Sequence, residues 1–334
     1  MHRRGLLTAA LAAAAIGPPR PIRAEAAAVR LVRPIDLLTL PLLVMEHDRL
    51  IERTAEAMGL GKVAVLWRAP EKTAPIAELA AGQADFAAAD LIPFLIAADA
   101  GGGTAAIRAL GALAQRPYVL VTRNPAVRTI RDFAAADRIA VPALEVSGPA
   151  VMLDMAAALE WGFEHRDRLS RLAVAQPDEA AAAALIAGTG DITAHFSRMP
   201  HVDRELASPA IGRVMDSFDI AGRHSSAVLA ATIRVRNANP ELCKAVLSAL
   251  QQAGEFIQKS PGAAAELFAA VANDQDLPLE DLSDMIGDPD LVYAAAPAGV
   301  MRIADFMHRT GRLKRRPAAW QELFLPESRD LPGS

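Results

Sequence analysis

Three short segments carry residue types that could do chemistry. Ser147-Gly148-Pro149 sets a hydroxyl beside a bare glycine. Where such a pair opens a helix, free backbone N–H groups and the hydroxyl face an anion or a carbonyl, although ordinary helix capping accounts for the same residues equally well. His195-Phe196 joins a side chain that donates or accepts near neutral pH to an apolar wall, the mixture from which small-ligand sites are built. Asp90 ends the run ADFAAAD ahead of Leu91-Ile92-Pro93, which makes it a helix cap, a carboxylate offered to a ligand, or both. Nothing comparable points to catalysis: the nucleophile elbow, the phosphate-binding loop, H-E-x-x-H and C-x-x-C are all absent from the sequence. His195, His201, Asp203 and His224 fit no common metal-ligand spacing. Gly101-Gly102-Gly103 follows a helical run, not a strand, and reads as a loop. These segments suit contact with a small ligand better than catalysis, and no enzymatic role, metal or cofactor is expected.

Composition bounds the class. Of 334 residues, 52% are apolar and 22% charged, a soluble globular balance long enough for one large or two ordinary domains. A formal charge of −4, with no basic cluster interleaved with aromatics, argues against nucleic acid as a partner. Aromatics at 4% argue against a caged cation. The single Cys243 lies in a helical pattern and cannot form an internal disulfide, so it is expected to be a packing residue. Residues 1–26, MHRRGLLTAALAAAAIGPPRPIRAEA, show paired arginines, a short apolar run and small residues around Ala24-Glu25-Ala26. That is the pattern of an export signal, and Arg3-Arg4-Gly5-Leu6-Leu7 has the twin-arginine form. Its apolar run is too short to cross about 30 Å of hydrocarbon. A soluble, exported, periplasmic protein is expected.

The elements that must position these residues alternate strand and helix, an α/β pattern. VRLVRPI and KVAVLW read as strands, and a helix from Pro41 carries Leu43, Leu50, Ile51 and Met58 before Gly59. KTAPIAELAA reads as a helix stopped by Gly82, ADFAAA as a short buried strand and LIPFLIAADAG as the next helix. Asp85 is expected to serve the turn before that strand. AIRALGAL, YVLVTR, RIAVPA, RLAVAQ, DITAHF and GRVMDSF follow as strands, with AVLAATIRV as a long one. Ser147 opens a helix that buries Val151, Met152, Met155 and Leu159, DEAAAAALIAG forms another stopped by Gly188, and Asn239-Pro240 and Ser260-Pro261 start two more. In an open α/β sheet ligands bind beyond the carboxyl ends of strands, which is where this pattern puts Asp90 and His195.

The ordered runs AELAAGQADFAAADLIPFLIAADAG, RPYVLVTRNPAVRTIRDF, DRIAVPALEVSGPAVMLDMAA, GTGDITAHFSRMPHVDREL, NPELCKAVLSALQQAGEFI with SPGAAAELF, and FMHRTGRLKRRPAAWQELF resemble the periplasmic substrate-binding proteins of ABC importers in the nitrate, taurine and aliphatic-sulfonate group. The resemblance extends from about Val29 to Pro326. It implies a type II periplasmic-binding fold, two lobes each with a mixed sheet flanked by helices, and a ligand cleft at the hinge. On that plan residues 27–118 and 223–334 make the first lobe and 119–222 the second, with the chain crossing near Pro117-Tyr118 and returning near Ala221 to Ser226. The segment through Trp320 and Phe324 would pack on the first lobe. Carried over by motif, ligand positions fall on Thr39, Asp90, Ser147, Gly148, His195, Phe196 and Ser217. The implied partners are a small solute and an ABC permease, and the implied state is a monomer. Two rival readings are a ligand sensor without an importer and a pyrimidine-precursor synthase; the lone Cys243 argues against the latter, whose iron-binding run is rich in Cys. Relatives often carry Pro-Pro after the His-Phe pair, where this chain has Met199-Pro200, and Gln after the serine, where it has Gly148-Pro149. Asp90 stands where many relatives have glycine, and a carboxylate there disfavours a bare anion and suits a neutral or amine-bearing ligand.

Overall fold

The structure, a computed structural model, describes residues 28–70, 74–272 and 277–334; the export signal expected at 1–26 lies outside them. Ten strands are described: β1 (Val29–Val32), β2 (Val65–Arg68), β3 (Phe86–Asp90), β4 (Ile107–Gln115), β5 (Val119–Thr122), β6 (Ile139–Val141), β7 (Ala173–Ala175), β8 (Ala194–Ser197), β9 (Gly212–Asp216) and β10 (Ser225–Thr232). They form two five-stranded sheets, ordered β2-β1-β3-β10-β4 and β7-β6-β8-β5-β9. In the first, β1 runs parallel to β2 and β3, while β10 lies antiparallel between β3 and β4. The second repeats the scheme: β6 is parallel to β7 and β8, and β5 is antiparallel between β8 and β9. In each sheet the reversed strand is the one reached by a crossing, β5 after Arg116-Pro117-Tyr118 and β10 after Ala221 to His224.

Local sequence explains most of these elements. The Ala-rich run of β3 is short, and every residue of the longer β10 is buried, as expected of strands covered on both faces. Gly82, at φ 72°, follows the helix Pro75–Ala80 and returns its N–H to Leu79 O at 3.0 Å; the left-handed turn needs glycine. Asp85 ties the turn to the sheet, accepting from the Arg30 N–H at 2.8 Å and from its guanidinium at 2.8 Å. The C-terminal segment lies on the first sheet, with Leu325 N–H on Ala109 O at 2.8 Å and Phe324 edge-on to Phe94. No helix among the described residues is long and apolar enough to cross a membrane.

Four expectations are corrected. The helix read from Pro41 to Met58 is two, Leu40–His47 and Leu50–Ala57, broken where the polar run His47-Asp48-Arg49 lets Arg49 turn left-handed at φ 52°. Leu159, expected in the core, is 71% exposed, since the buried part of its helix (Gly148–Trp161) ends at Ala157. The long strand ends at Thr232 instead of running to Val235: the Thr232 hydroxyl accepts from the Val235 N–H at 3.3 Å and starts the helix Ile233–Ala238. Asn239 makes no side-chain cap, so Pro240 alone marks the start of the long helix Pro240–Lys259.

Cys243 is buried in that helix, and burial pushes its thiol up to about 12. A disulfide-exchange thiol reagent at pH 8 is expected to leave the native protein untouched and to titrate one thiol per chain only after denaturation. Fast labelling of the native form would contradict the packing.

Candidate functional site

The crossings between the sheets are fastened by serines. The Ser226 hydroxyl donates to Arg116 O at 2.7 Å and accepts from the Arg116 N–H at 3.0 Å. Ser217 Oγ accepts from the Tyr118 N–H at 3.0 Å and lies 2.8 Å from His224 Nε2. His224 Nδ1 sits 3.2 Å from Ser225 O, which can only accept, so Nδ1 carries the proton and Nε2 receives the Ser217 hydroxyl proton. Burial holds His224 down at about 4, neutral at pH 7. Ser217 thereby fastens the crossing between the two sheets and is fully buried.

Where β1, β3 and β8 end, the two sheets share a cavity of about 220 Å³. Its walls are largely apolar, with Ile35, Leu38, Ile76, Pro93 and Ala227, and its polar lining is Asp36, Thr39, Asp90 and Arg198. Thr39 is buried and spends its hydroxyl on Pro34 O at 2.8 Å. Asp36 accepts from the Leu38 N–H at 2.8 Å, capping a single helical turn. Asp90 stands at the N-cap position of Leu91–Ala100 but accepts nothing from that helix, and its side chain is 44% exposed. Although that much of the side chain opens on the cavity, the surrounding protein keeps bulk water away, and this desolvation, opposed by Arg198 and reinforced by Asp36 and Asp178, raises the Asp90 carboxyl above the usual range.

Arg198 follows β8, comes from the second sheet and reaches the first. Its guanidinium pairs with Asp36, lies 3.4 Å from Asp90, and has Asp178 of its own side 3.7 Å from Nε. Behind it stands His195, with Nε2 3.3 Å from Asp178 and Nδ1 2.7 Å from Glu205. Burial alone would lower the imidazole, but the hydrogen bonds to the two carboxylates prevail and raise it to about 8. A cationic His195 donates from both nitrogens, so Glu205, His195, Asp178 and Arg198 form one chain leading to the cavity.

The residues singled out in the sequence are dispersed accordingly. Thr39 and Asp90 line the cavity. His195 was expected at a strand end; it lies inside β8, fully buried, and meets the cavity only through Asp178 and Arg198. Phe196 is core, edge-on to Tyr118 at 6.4 Å. Ser147 caps its own helix, accepting from the Ala150 N–H at 3.3 Å and donating to Ala143 O at 2.5 Å. Gly148 lies against the Tyr118 ring. Asp36, Asp178 and Arg198 belong to no motif in the sequence, although Asp36 and Arg198 follow strand runs just as Asp90 does, and the strand-end rule covers both.

A larger hollow of about 870 Å³ is lined by residues of the first sheet's side alone, including Val29, Arg30, Lys62 and Asp85 near the amino ends of β1, β2 and β3. It joins no residue of the second sheet. Among the described residues no group of three His, Cys, Asp or Glu side chains is placed to hold a metal ion.

Two mixed sheets joined by crossings, with a cavity at the strand ends between them, are the architecture of the periplasmic binding proteins, and the chain has that fold. No protein-family model matches it, and no functionally curated protein is similar to it in sequence. Solved structures are. The periplasmic aliphatic sulphonate binding protein SsuA of Escherichia coli superposes with a TM-score of 0.67 at 16% identity, over 89% of this chain and 97% of that one. The alkanesulfonate-binding protein SsuA of Xanthomonas axonopodis pv. citri, bound to MOPS, gives 0.66 at 18% identity, over 90% and 98%. The periplasmic nitrate-binding protein NrtA of Synechocystis PCC 6803 gives 0.61 at 14% identity, over 89% and 84%.

Proposed function

We propose that this chain is the periplasmic solute-binding component of an ABC importer, capturing a small polar nitrogen- or sulfur-containing solute between two lobes and presenting it to a membrane permease. The lobes are residues 27–118 with 223–334, and residues 119–222; residues 1–26 direct export and are removed. The observation that carries the reading is the cavity whose polar lining comes from both sheets, Asp36 and Asp90 on one side and Arg198 on the other. A site divided in this way is completed only when the lobes are together, so a solute seated there stabilises the closed form. No bond is made or broken, and the protein works as a monomer. The nitrate and sulfonate binders named above share the fold, which supports the class of function and leaves the solute to the residues of this cavity.

The test is thermal unfolding of the purified protein against a panel of small nitrogen and sulfur compounds. A solute at about a hundred times its dissociation constant adds roughly 2.7 kcal/mol, a rise in Tm of about 5–10 °C for units of this size. One hit with a shift of that order is the expected result. A panel without any shift, from protein freed of co-purified ligand by unfolding and refolding, would contradict the reading.

A further inference from the structure

We propose that the cavity between the sheets takes a small organic cation, an ammonium or amidinium on a compact apolar body, and that the Arg198 guanidinium is a tethered stand-in for its head group. The inference rests on the solute-binding reading and narrows it. Three carboxylates, Asp36, Asp90 and Asp178, surround the one guanidinium, while His195 and Glu205 balance each other behind it. An anion entering the cavity would meet the surplus negative charge at close range; a cation is attracted by it. Asp90 is the carboxylate with acceptor capacity to spare. It caps no helix, its contact with Arg198 is a long 3.4 Å, and its side chain is 44% exposed, whereas an ionised carboxylate offers about four lone-pair sites.

Arg198 also has somewhere to go. Asp178 stands behind the cavity lining, 3.7 Å from Arg198 Nε, so a guanidinium displaced from Asp36 and Asp90 keeps a counter-ion. The seat it leaves already suits a planar or tetrahedral nitrogen cation, and the adjoining wall of Leu38, Ile76 and Pro93 suits an apolar body. A group tethered beside its own binding site competes at high effective concentration. Arg198 therefore sets a threshold that a cationic solute must exceed, and removing it should tighten cation binding.

The experiment measures dissociation constants at pH 7, from thermal shift and calorimetry, for benzylamine, benzamidine and benzenesulfonate, which share one ring and differ in charge. The proteins are wild type, Arg198→Met and Asp90→Asn. The cations are expected to bind wild type, to bind Arg198→Met at least about tenfold more tightly, and to lose at least about tenfold in Asp90→Asn; the sulfonate is expected to bind none of them. Should Arg198→Met fail to fold, the loss in Asp90→Asn decides alone. Benzenesulfonate binding that disappears in Arg198→Met would overturn the proposal and leave solute binding standing, with Arg198 as an anion contact. If none of the three binds while an anionic or neutral solute from the wider panel does, the cation class is wrong; a cationic solute from that panel keeps the class and is carried through the same variants. If nothing binds from either set, the solute-binding reading falls with it.

Discussion

Replacing Glu205 by alanine is expected to cost the folded protein about 3–5 kcal/mol at pH 6, the range found when one partner of a buried ion pair is removed. Glu205 and His195 are both fully buried, 2.7 Å apart, and the substitution leaves a cationic imidazole with a cavity where its nearer carboxylate stood. The loss should shrink above pH 8, because a neutral His195 has less need of the carboxylate. In the wild type the linkage has a definite sign. The His195 pKa is raised to about 8 in the folded state, against an unfolded value of about 6.5. Its contribution of about 2 kcal/mol is therefore complete below pH 6.5 and is lost as pH rises through 8. His224, held at about 4, works in the opposite direction: its contribution is complete above 6.5 and is lost as pH falls toward 4. Urea denaturation from pH 4 to 9 should show both slopes in the wild type and lose most of the alkaline one in Glu205→Ala. An unchanged alkaline slope would place His195 in a different environment.

Gly148→Ala is the second large effect. A Cβ at that position would stand 2.4 Å from Tyr118 Oη, 2.5 Å from Cζ and 2.6 Å from Cε2. The ring cannot step aside easily, since it is nearly buried between Phe196, edge-on at 6.4 Å, and His224, stacked at 6.2 Å. Overpacking of this kind costs about 1–3 kcal/mol, here toward the upper end because ring atoms as well as the hydroxyl are met. For units of this size that lowers Tm by several degrees, about 2–4 °C per kcal/mol. Tyr118→Phe should not rescue the variant, because Cε2 remains; Tyr118→Leu should recover part of the loss. The experiment also separates two roles of Gly148. If the glycine serves only to let a ligand approach, affinity falls while Tm stays; if it serves Tyr118, Tm falls first.

Much of the architecture could be read from local chemistry. Gly82, Gly188 and the Pro240 start mark helix ends for stereochemical reasons that hold whatever surrounds them, and the short Ala-Val runs had little choice but to be buried strands. Boundaries set by a competing side chain were harder. Thr232 is as good a strand residue as a cap, and only the N–H groups waiting at Ile233–Ala238 decide between the two. The site was legible in part. Asp90 could be placed at a strand end and Thr39 came only from the family resemblance, while Ser147, Phe196 and Ser217 have residue types that serve a cap, a core and a crossing between sheets equally well. Their roles depend on partners 4 to 99 residues away in sequence, Ala143 for one and Tyr118 for another. Arg198 was the least visible, because its meaning comes from Asp36, 162 residues earlier, and no pattern of spacing within one chain segment encodes that meeting.

The central claim is that one solute site is shared by the two sheets. The most direct measurement is calorimetric titration of whichever solute the panel yields into the wild type, Asp90→Asn from the first sheet and Arg198→Met from the second. One site per chain is predicted, with the dissociation constant moved by at least about tenfold in each variant, in whichever direction the solute's charge dictates. Binding at one site per chain with both variants indistinguishable from wild type would contradict the account, because the solute would then sit where neither side of this cavity touches it.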